Sequence, residues 1–472
     1  MTTAHPPTFL GDDFLLSTPI ARELYHDHAA PAPIVDVHNH LPADEIADDA
    51  VAETITDLWL GGDHYKWRAM RLHGVPEELI SGAGDPWEKF RAWAATVPQL
   101  VRNPLYVWTH LELKRAFGID TPLTPSSARS IYDAANEQLP ELGARRLLRQ
   151  FGVELVATTD EPGSDLAHHE RLAALGEDGL RMVPTFRPDA AHALLGDPGA
   201  WNRWVDGLLT SGDATTIDDL ASLLGALESS YARMAAAGGR ASDHGLARLP
   251  PRPRDPGRAD EVVRAARSGQ PATNENQEIV MLEVVALAAR LAHADDGVLQ
   301  LHLGPIRNAS PRLLDLVGRD AGADVMGDER QADGLALFLG DLERAGELPR
   351  TVLYNLNPAD NALLVTMAGA FARPGVAGLV QWGPPWWFND HESGMRRQLD
   401  DLSQIGQLGG FIGMLTDSRS ILSMTRHELF RRILCDVVGR DVEAGTIPAD
   451  IESLGALVRA VSVDNARAFF GY

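Results

Sequence analysis

Two histidines flank one asparagine at the end of a short apolar run, Ile34-Val35-Asp36-Val37-His38-Asn39-His40. Side chains alternate faces along an extended chain, so His38 and His40 project to the same side. Imidazoles converging in this way make half of a divalent-metal site. The plainer reading is one histidine capping a strand and another packed beside it. A third donor decides between them, and Asp417 in Thr416-Asp417-Ser418-Arg419 offers one. An ion on His38, His40 and Asp417 would keep positions open for water or substrate oxygens. His302 is a candidate fourth ligand, or equally a hydrogen-bonding neighbour of the site. The donor types suit Zn²⁺ or Mn²⁺. Only three lysines, Lys66, Lys89 and Lys114, occur among the 42 basic residues, and none lies in a strand-like segment. Schiff-base chemistry from such a strand is thereby disfavoured, as is a lysine bridging two metals, so one ion is expected.

Arginines complete the chemical inventory. Arg419 stands two residues from Asp417, where a guanidinium keeps the carboxylate ionised and fit to ligate a metal or, as a catalytic group, to accept a proton. Arg187 and Arg307 can each grip an anionic group with two parallel hydrogen bonds, which points to a carboxylated or phosphorylated substrate. Their plainer reading is salt bridging.

These residues need a scaffold that brings distant chain ends together. Apolar runs suggest eight strands: Val35–His38, Glu154–Thr158, Met182–Thr185, a poorly patterned Arg240–Asp243, Val298–His302, Thr351–Asn355, Leu379–Trp382 and Phe411–Leu415. Helical stretches such as Asp218–Ala237, Gln277–Ala294 and Ala332–Ala345 separate the later ones. Eight strands alternating with helices predict an α/β fold of the (β/α)8 barrel type, whose chemistry sits at the carboxyl ends of the strands. An open doubly wound sheet is the alternative, but no Gly-rich phosphate loop follows any strand. Residues 44–148 read as helical throughout, with five tryptophans, and so form an all-helical insertion after the first strand. Within it, Asp63 is placed to cap a helix running through His64-Tyr65-Lys66-Trp67-Arg68. Residues 247–258, rich in proline and arginine, read as a solvated connection. The whole chain, 1–472, is expected to be one barrel domain.

Composition narrows the partners. The net charge of −24 disfavours nucleic acid and anionic membrane surfaces. No apolar run approaches the roughly 20 residues of a membrane span. Met1–Pro7 lacks a secretory pattern, and the single cysteine, Cys435, suits a reducing cytoplasm. A homo-oligomer acting on a small molecule is the expected assembly.

Longer motifs carry a resemblance. Gly62-Asp63-His64-Tyr65-Lys66-Trp67-Arg68-Ala69-Met70-Arg71 and Trp386-Trp387-Phe388-Asn389-Asp390 are the most specific. With them stand His38-Asn39-His40-Leu41-Pro42, Trp108-Thr109-His110-Leu111-Glu112-Leu113, Arg187-Pro188-Asp189, Ser242-Asp243-His244 and Gly413-Met414-Leu415-Thr416-Asp417-Ser418-Arg419-Ser420. In these runs the chain resembles, nearly end to end, the uronate isomerases (glucuronate isomerase), a branch of the amidohydrolase superfamily. The resemblance implies a distorted (β/α)8 barrel with a helical insertion. It also implies interconversion of D-glucuronate with D-fructuronate and of D-galacturonate with D-tagaturonate. The chain departs from the family pattern at Asn39, at Ala309-Ser310 and at Pro384-Pro385, the last beside the expected sugar pocket.

Such an aldose–ketose exchange moves a proton between C2 and C1 through an enediol. Tyr65 is the candidate for that proton, with Arg419 lowering its pKa or holding the enediolate charge. His64, Arg187 and Arg307 would grip carboxylate and hydroxyls, and Trp386 would wall the pocket. Two rivals share these residues: a metal-dependent hydrolase of a lactone, amide or ester, and a non-catalytic sugar-acid binder.

Overall fold

A computed structural model describes residues 8–176 and 179–472; Met1–Pro7, where the absence of a secretory pattern was read, lies outside them. Seven parallel strands form one curled sheet in the order β1-β2-β3-β4-β5-β8-β9. They are β1 (Ile34–Asp36), β2 (Val153–Asp160), β3 (Arg181–Phe186), β4 (Ala241–Leu246), β5 (Val298–Leu303), β8 (Arg350–Asn355) and β9 (Val380–Trp382). The missing numbers belong to a two-stranded antiparallel ribbon, β6 (Pro305–Ile306) and β7 (Val325–Met326). β5 reads Val-Leu-Gln-Leu-His-Leu and is buried at every position, as expected of a parallel strand covered on both faces. The poorly patterned fourth candidate is a full strand. Its ladder with β5 runs for six residue pairs, from Ala241↔Val298 to Leu246↔Leu303, although β3 meets it only at Phe186↔Ser242. Neighbouring strands, not its own pattern, hold it in place.

The eighth candidate, Phe411–Leu415, is buried but forms no strand. Gly413 interrupts it with φ of +76°, and a Cβ there would run into the Val461 carbonyl. Side chains take over backbone partners that a ladder would supply. Asn465 Nδ2 donates to the Phe411 carbonyl at 2.8 Å, Gln381 Nε2 to the Gly410 carbonyl at 3.1 Å, and Arg426 Nη1 to the Thr416 carbonyl at 2.9 Å. Two backbone bonds tie the segment's end to the end of β1. Asp417 N donates to the His38 carbonyl at 3.1 Å, and His40 N to the Ser418 carbonyl at 2.9 Å.

Between β1 and β2 the described chain is helical, with seven α-helices from Ala43–Asp48 to Ala144–Gln150. Their tryptophans do not form a separate core. Trp59, Trp93 and Trp108 belong to the same connected apolar cluster as Val35, Leu301 and Val352 of the sheet. At the other end of the chain, the helix Thr425–Glu443 is buried along most of its length. Arg431 on it donates to the carbonyls of Ala32, Pro33 and Ser462, joining the entrance of β1 to the last helices. Among the described residues, no helix is long and apolar enough to cross a membrane.

Candidate active site

The carboxyl ends of the strands meet at His38. Its Nε2 lies 3.1 Å from Asp417 Oδ1, and His40 Nε2 lies 2.9 Å from the same oxygen. Donor atoms of the three residues all fall within 4.8 Å of one another, a spacing that could hold one metal ion. The other oxygen of Asp417, Oδ2, accepts the indole N–H of Trp386. One carboxylate oxygen thus faces the imidazoles, and the other is fixed by a donor behind it, as the outer neighbours of metal ligands commonly do. Burial would raise the Asp417 pKa, but hydrogen bonds from His38 and His40 hold it well below the usual carboxylate range. His38 is buried, which favours the neutral ring, yet Asp243 and Asp417 raise its pKa above the ordinary value. Burial dominates at His40 and lowers it. The cluster attracts positive charge, and its donor chemistry fits a divalent cation.

His302 belongs to a second grouping with His38 and Asp243 rather than with His40 and Asp417. Its Nδ1 lies 2.6 Å from Asp243 Oδ1, while its buried Nε2 has no hydrogen-bond partner. Its ring stacks on Tyr354 at 4.2 Å and stands 4.6 Å from the His38 ring. Asp243 therefore orients His302 with a free ring nitrogen beside the cluster.

The two anion-gripping candidates converge from different strand ends. Arg187, following β3, pairs with Asp243 at 2.8 Å and Asp189 at 3.2 Å. Burial would weaken its charge, but these carboxylates raise its pKa instead. Arg307, following β6, pairs with Asp324 at 2.9 Å and lies 5.8 Å over the Trp387 ring. Both guanidiniums approach Gly245, where a Cβ would collide with Arg187 and sit 3.2 Å from Arg307 Nη2. A residue without a side chain keeps that space open.

The run Asp63–Arg68 divides into structural and site-facing residues. Asp63 caps the helix His64–Leu72, its Oδ1 accepting from the backbone of Tyr65 and Lys66. Lys66 is buried between Asp63 at 2.7 Å and Glu112 at 3.6 Å. Burial alone would depress its pKa, but these carboxylates raise it, so Lys66 is a charged anchor and no nucleophile. Arg68 donates to the carbonyls of Gly322 and Asp324, and Arg71 to that of Ala321. The helix is thereby fastened to the chain that returns as β7.

His64 and Tyr65, at the first turn, stack on each other at 5.0 Å. Burial, then the nearby Arg419 charge, pushes the His64 pKa down to about 4, so its ring is neutral at neutral pH. The Tyr65 hydroxyl donates to Asp390 Oδ2 at 3.0 Å. Burial and the Asp390 charge raise its pKa well above the ordinary value. This corrects the expectation that Arg419 lowers it. Arg419 Nη1 instead reaches the Asp320 carbonyl at 3.4 Å, and the guanidinium over the Tyr65 ring, at 5.0 Å, belongs to Arg426. Arg426 had no role in the sequence reading. It stands in Thr425-Arg426-His427-Glu428, a further run of the family resemblance at the start of a long helix, and no role attaches to it there. Asp390 was visible only as the last residue of Trp-Trp-Phe-Asn-Asp.

A parallel α/β sheet with two imidazoles after β1, and a carboxylate on the segment bonded to the end of that strand, is the arrangement of α/β enzymes whose site could hold a metal ion. The chain belongs to the glucuronate isomerase family, whose sequence profile matches residues 7–470. A uronate isomerase of Solibacter usitatus is 45% identical over 469 residues, covering 98% of this chain and 99% of its own. The crystal structure of a uronate isomerase from Thermotoga maritima matches with a TM-score of 0.90 at 36% identity, covering 98% of this chain and all of that one. A glucuronate isomerase from Caulobacter crescentus matches with a TM-score of 0.88 at 25% identity, over 99% of this chain and 98% of its own.

Proposed function

We propose that this site interconverts D-glucuronate with D-fructuronate and D-galacturonate with D-tagaturonate. Family membership makes the chain an aldose–ketose isomerase. The observation that carries the site assignment is the His38–His40–Asp417 cluster at the strand ends, with Arg187 and Arg307 converging at Gly245. The guanidiniums take the sugar's carboxylate and fix the distance to the carbon being deprotonated. His64, being neutral, offers hydrogen bonds to hydroxyls without adding charge. Tyr65 handles the carbon proton, Arg419 faces the developing enediolate charge, and Trp386 both walls the pocket and fixes Asp417. His38, His40 and Asp417 would hold one divalent ion, Zn²⁺ or Mn²⁺, which when bound polarises the sugar oxygens and acidifies the hydrogen on C2.

The same reading treats the sheet as a distorted (β/α)8 barrel with Phe411–Leu415 as its eighth stave. The helices of residues 44–148 are then an insertion over the active-site mouth. Two observations support this: the segment's end is bonded to β1, and His64 and Tyr65 come from that helical region. The cytoplasm is the proposed compartment, in keeping with one buried free thiol. The test is incubation of the purified protein in deuterated water with D-glucuronate and, separately, with its lactone, followed by carbon NMR. Ketose should appear from the acid, with deuterium entering C1 to the extent that the proton exchanges. Ring-opened product from the lactone without ketose from the acid would make it a hydrolase, and unchanged sugar a binder.

A further inference from the structure

Between β3 and β4 the sheet is held by one ladder pair, Phe186↔Ser242. Beyond that pair, at the end that carries the site, a side chain supplies what the ladder does not. Asp189 Oδ2 accepts the Gly245 N–H at 2.8 Å and the Arg187 Nε–H at 3.2 Å. One oxygen thus joins the chain after β3 to β4 and grips a guanidinium at the same time. The other oxygen, Oδ1, faces two buried imidazoles, with His244 Nδ1 at 3.5 Å and His192 Nε2 at 3.6 Å. Burial would raise the Asp189 pKa, but Arg187, His192 and His244 hold it well below the usual carboxylate range. Arg187 Nη1 lies 2.8 Å from Asp243 Oδ2, so carboxylates stand on two sides of the guanidinium. Its remaining nitrogen, Nη2, is turned toward Gly245, and Arg307 Nη2 approaches the same glycine. An arginine side chain has many rotamers, so a guanidinium held in place beforehand loses less freedom when a ligand arrives.

We propose that Asp189 is the positioning residue of Arg187: it holds Nη2 over the bare Gly245, beside Arg307 Nη2, so that both nitrogens take one substrate carboxylate. The proposal rests on the isomerase reading and deepens it, by saying what places the anion-binding group. The role is indirect, because Asp189 acts on the ligand through the guanidinium. Its carboxylate carries the same sign as the ligand's, so by charge alone it would be a repulsive neighbour. Positioning and charge therefore predict opposite effects of removing it, and the sign of the effect decides between them. Gly245 belongs to the same device. A Cβ there would collide with Arg187 Nη2 and come within 3.2 Å of Arg307 Nη2, so a larger residue would push the first guanidinium off its place.

The probe is L-gulonate, which is D-glucuronate with its aldehyde reduced, so it keeps the carboxylate but cannot isomerise. Its Kd is measured by calorimetry on the full chain supplied with Zn²⁺. Asp189→Asn keeps an oxygen for the Gly245 N–H but removes the charge that faces Arg187. Lost positioning should weaken L-gulonate binding by about tenfold or more, whereas a lost like charge would tighten it. The kcat/KM for D-glucuronate then separates positioning from structural damage. In an Arg187→Gln background, Asp189→Asn should cost no more than about twofold further, because the group it positions is gone. Damage to the join between β3 and β4 would instead multiply with the Arg187→Gln loss. Gly245→Ala is the second variant, since its Cβ meets only the ends of side chains. It should weaken L-gulonate binding in the same way, and its loss should shrink to about twofold in the Arg187→Gln background. Unchanged or tighter L-gulonate binding in Asp189→Asn, or losses that multiply in the double variant, would overturn the proposal. If Asp189→Asn does not fold, Gly245→Ala decides by the same two outcomes. A wild type that isomerises while Asp189→Asn binds L-gulonate as before removes Asp189 and spares the isomerase. A wild type that binds L-gulonate without isomerising removes the isomerase reading, and the Kd series still decides the role of Asp189. A wild type that does neither removes both.

Discussion

The division of labour between the oxygens of Asp417 is the most informative detail at the scale of single residues. Oδ1 faces His38 and His40, and Oδ2 is held by the Trp386 indole. The tryptophan expected to wall the pocket therefore also decides which lone pairs an ion would meet. Metal retention should depend on pH through His38. Burial opposes its charged form, but Asp243 and Asp417 raise its pKa, so a proton competes with an ion from above the usual imidazole value of about 6.5 downward. Dialysis at about pH 8 should leave about one equivalent of Zn²⁺, and dialysis at about pH 5.5 should strip it, as read by elemental analysis. Full metal content at the lower pH would show that protonation of His38 does not compete with the ion in that range. Both histidines and Asp417 could be proposed from sequence because their donor chemistry is specific. Asp390 and Arg426 stand in runs that carry the family resemblance, but their pairing with Tyr65 could not be proposed, since only contact gives them that meaning.

Elements show where pattern reading met its limit. The run Asp63–Arg68 has a helix cap, a buried ion pair and two site-facing rings within one and a half turns. Its helix and its cap followed from residue types; the partners Glu112 and Gly322 lie far along the chain and did not. The prolines of residues 247–258 predict a solvated connection; its arginines pair with the helix Asn274–Ala294, Arg252 with Glu275 and Arg254 with Glu283, and its last three residues already open the helix Pro256–Arg267. The eighth segment failed as a strand through Gly413. Gly413→Ala would place a side chain at φ of +76° against the Val461 carbonyl. The left-handed backbone alone costs about 1–2 kcal/mol, and the collision adds to that. Urea denaturation should show a loss of at least about 2 kcal/mol, with kcat reduced because Asp417 follows four residues later. A loss below about 0.5 kcal/mol would mean the segment relaxes freely.

Across the whole molecule, His38 and Asp417 touch although 379 positions separate them. One connected apolar core spans sheet and helices, so the helices between β1 and β2 share the core of the sheet rather than having one of their own. Burial of titratable groups on this scale makes global stability sensitive to acid. His64 has its pKa lowered to about 4 by burial and the Arg419 charge. Between about 6.5 and that value the unfolded chain takes a proton that the folded chain refuses. The sign is therefore fixed: this contribution is intact above about pH 6.5 and declines as the pH falls toward about 4. Urea midpoints of the metal-free protein should drop across that window, and His64→Asn should flatten the slope. An unchanged slope would place the sensitivity elsewhere.

Sequence by itself determined what depends on local chemistry. The alternation of apolar runs and helices specified a parallel α/β architecture, because each period reports which faces are buried. The histidine pair, Asp417 and the arginines marked a candidate site for a metal and an anion, because few other residue types do that work. Long shared motifs announced the family. Tertiary structure alone decided what depends on distance. It made β4 a strand by giving it neighbours, and it denied Phe411–Leu415 a ladder by supplying side-chain partners instead. It set Arg426 rather than Arg419 over Tyr65, and gave the phenol its acceptor in Asp390. A hydrogen bond or a charge acts over a few ångströms of space, and the order of residues does not state which distant groups the fold will bring that close.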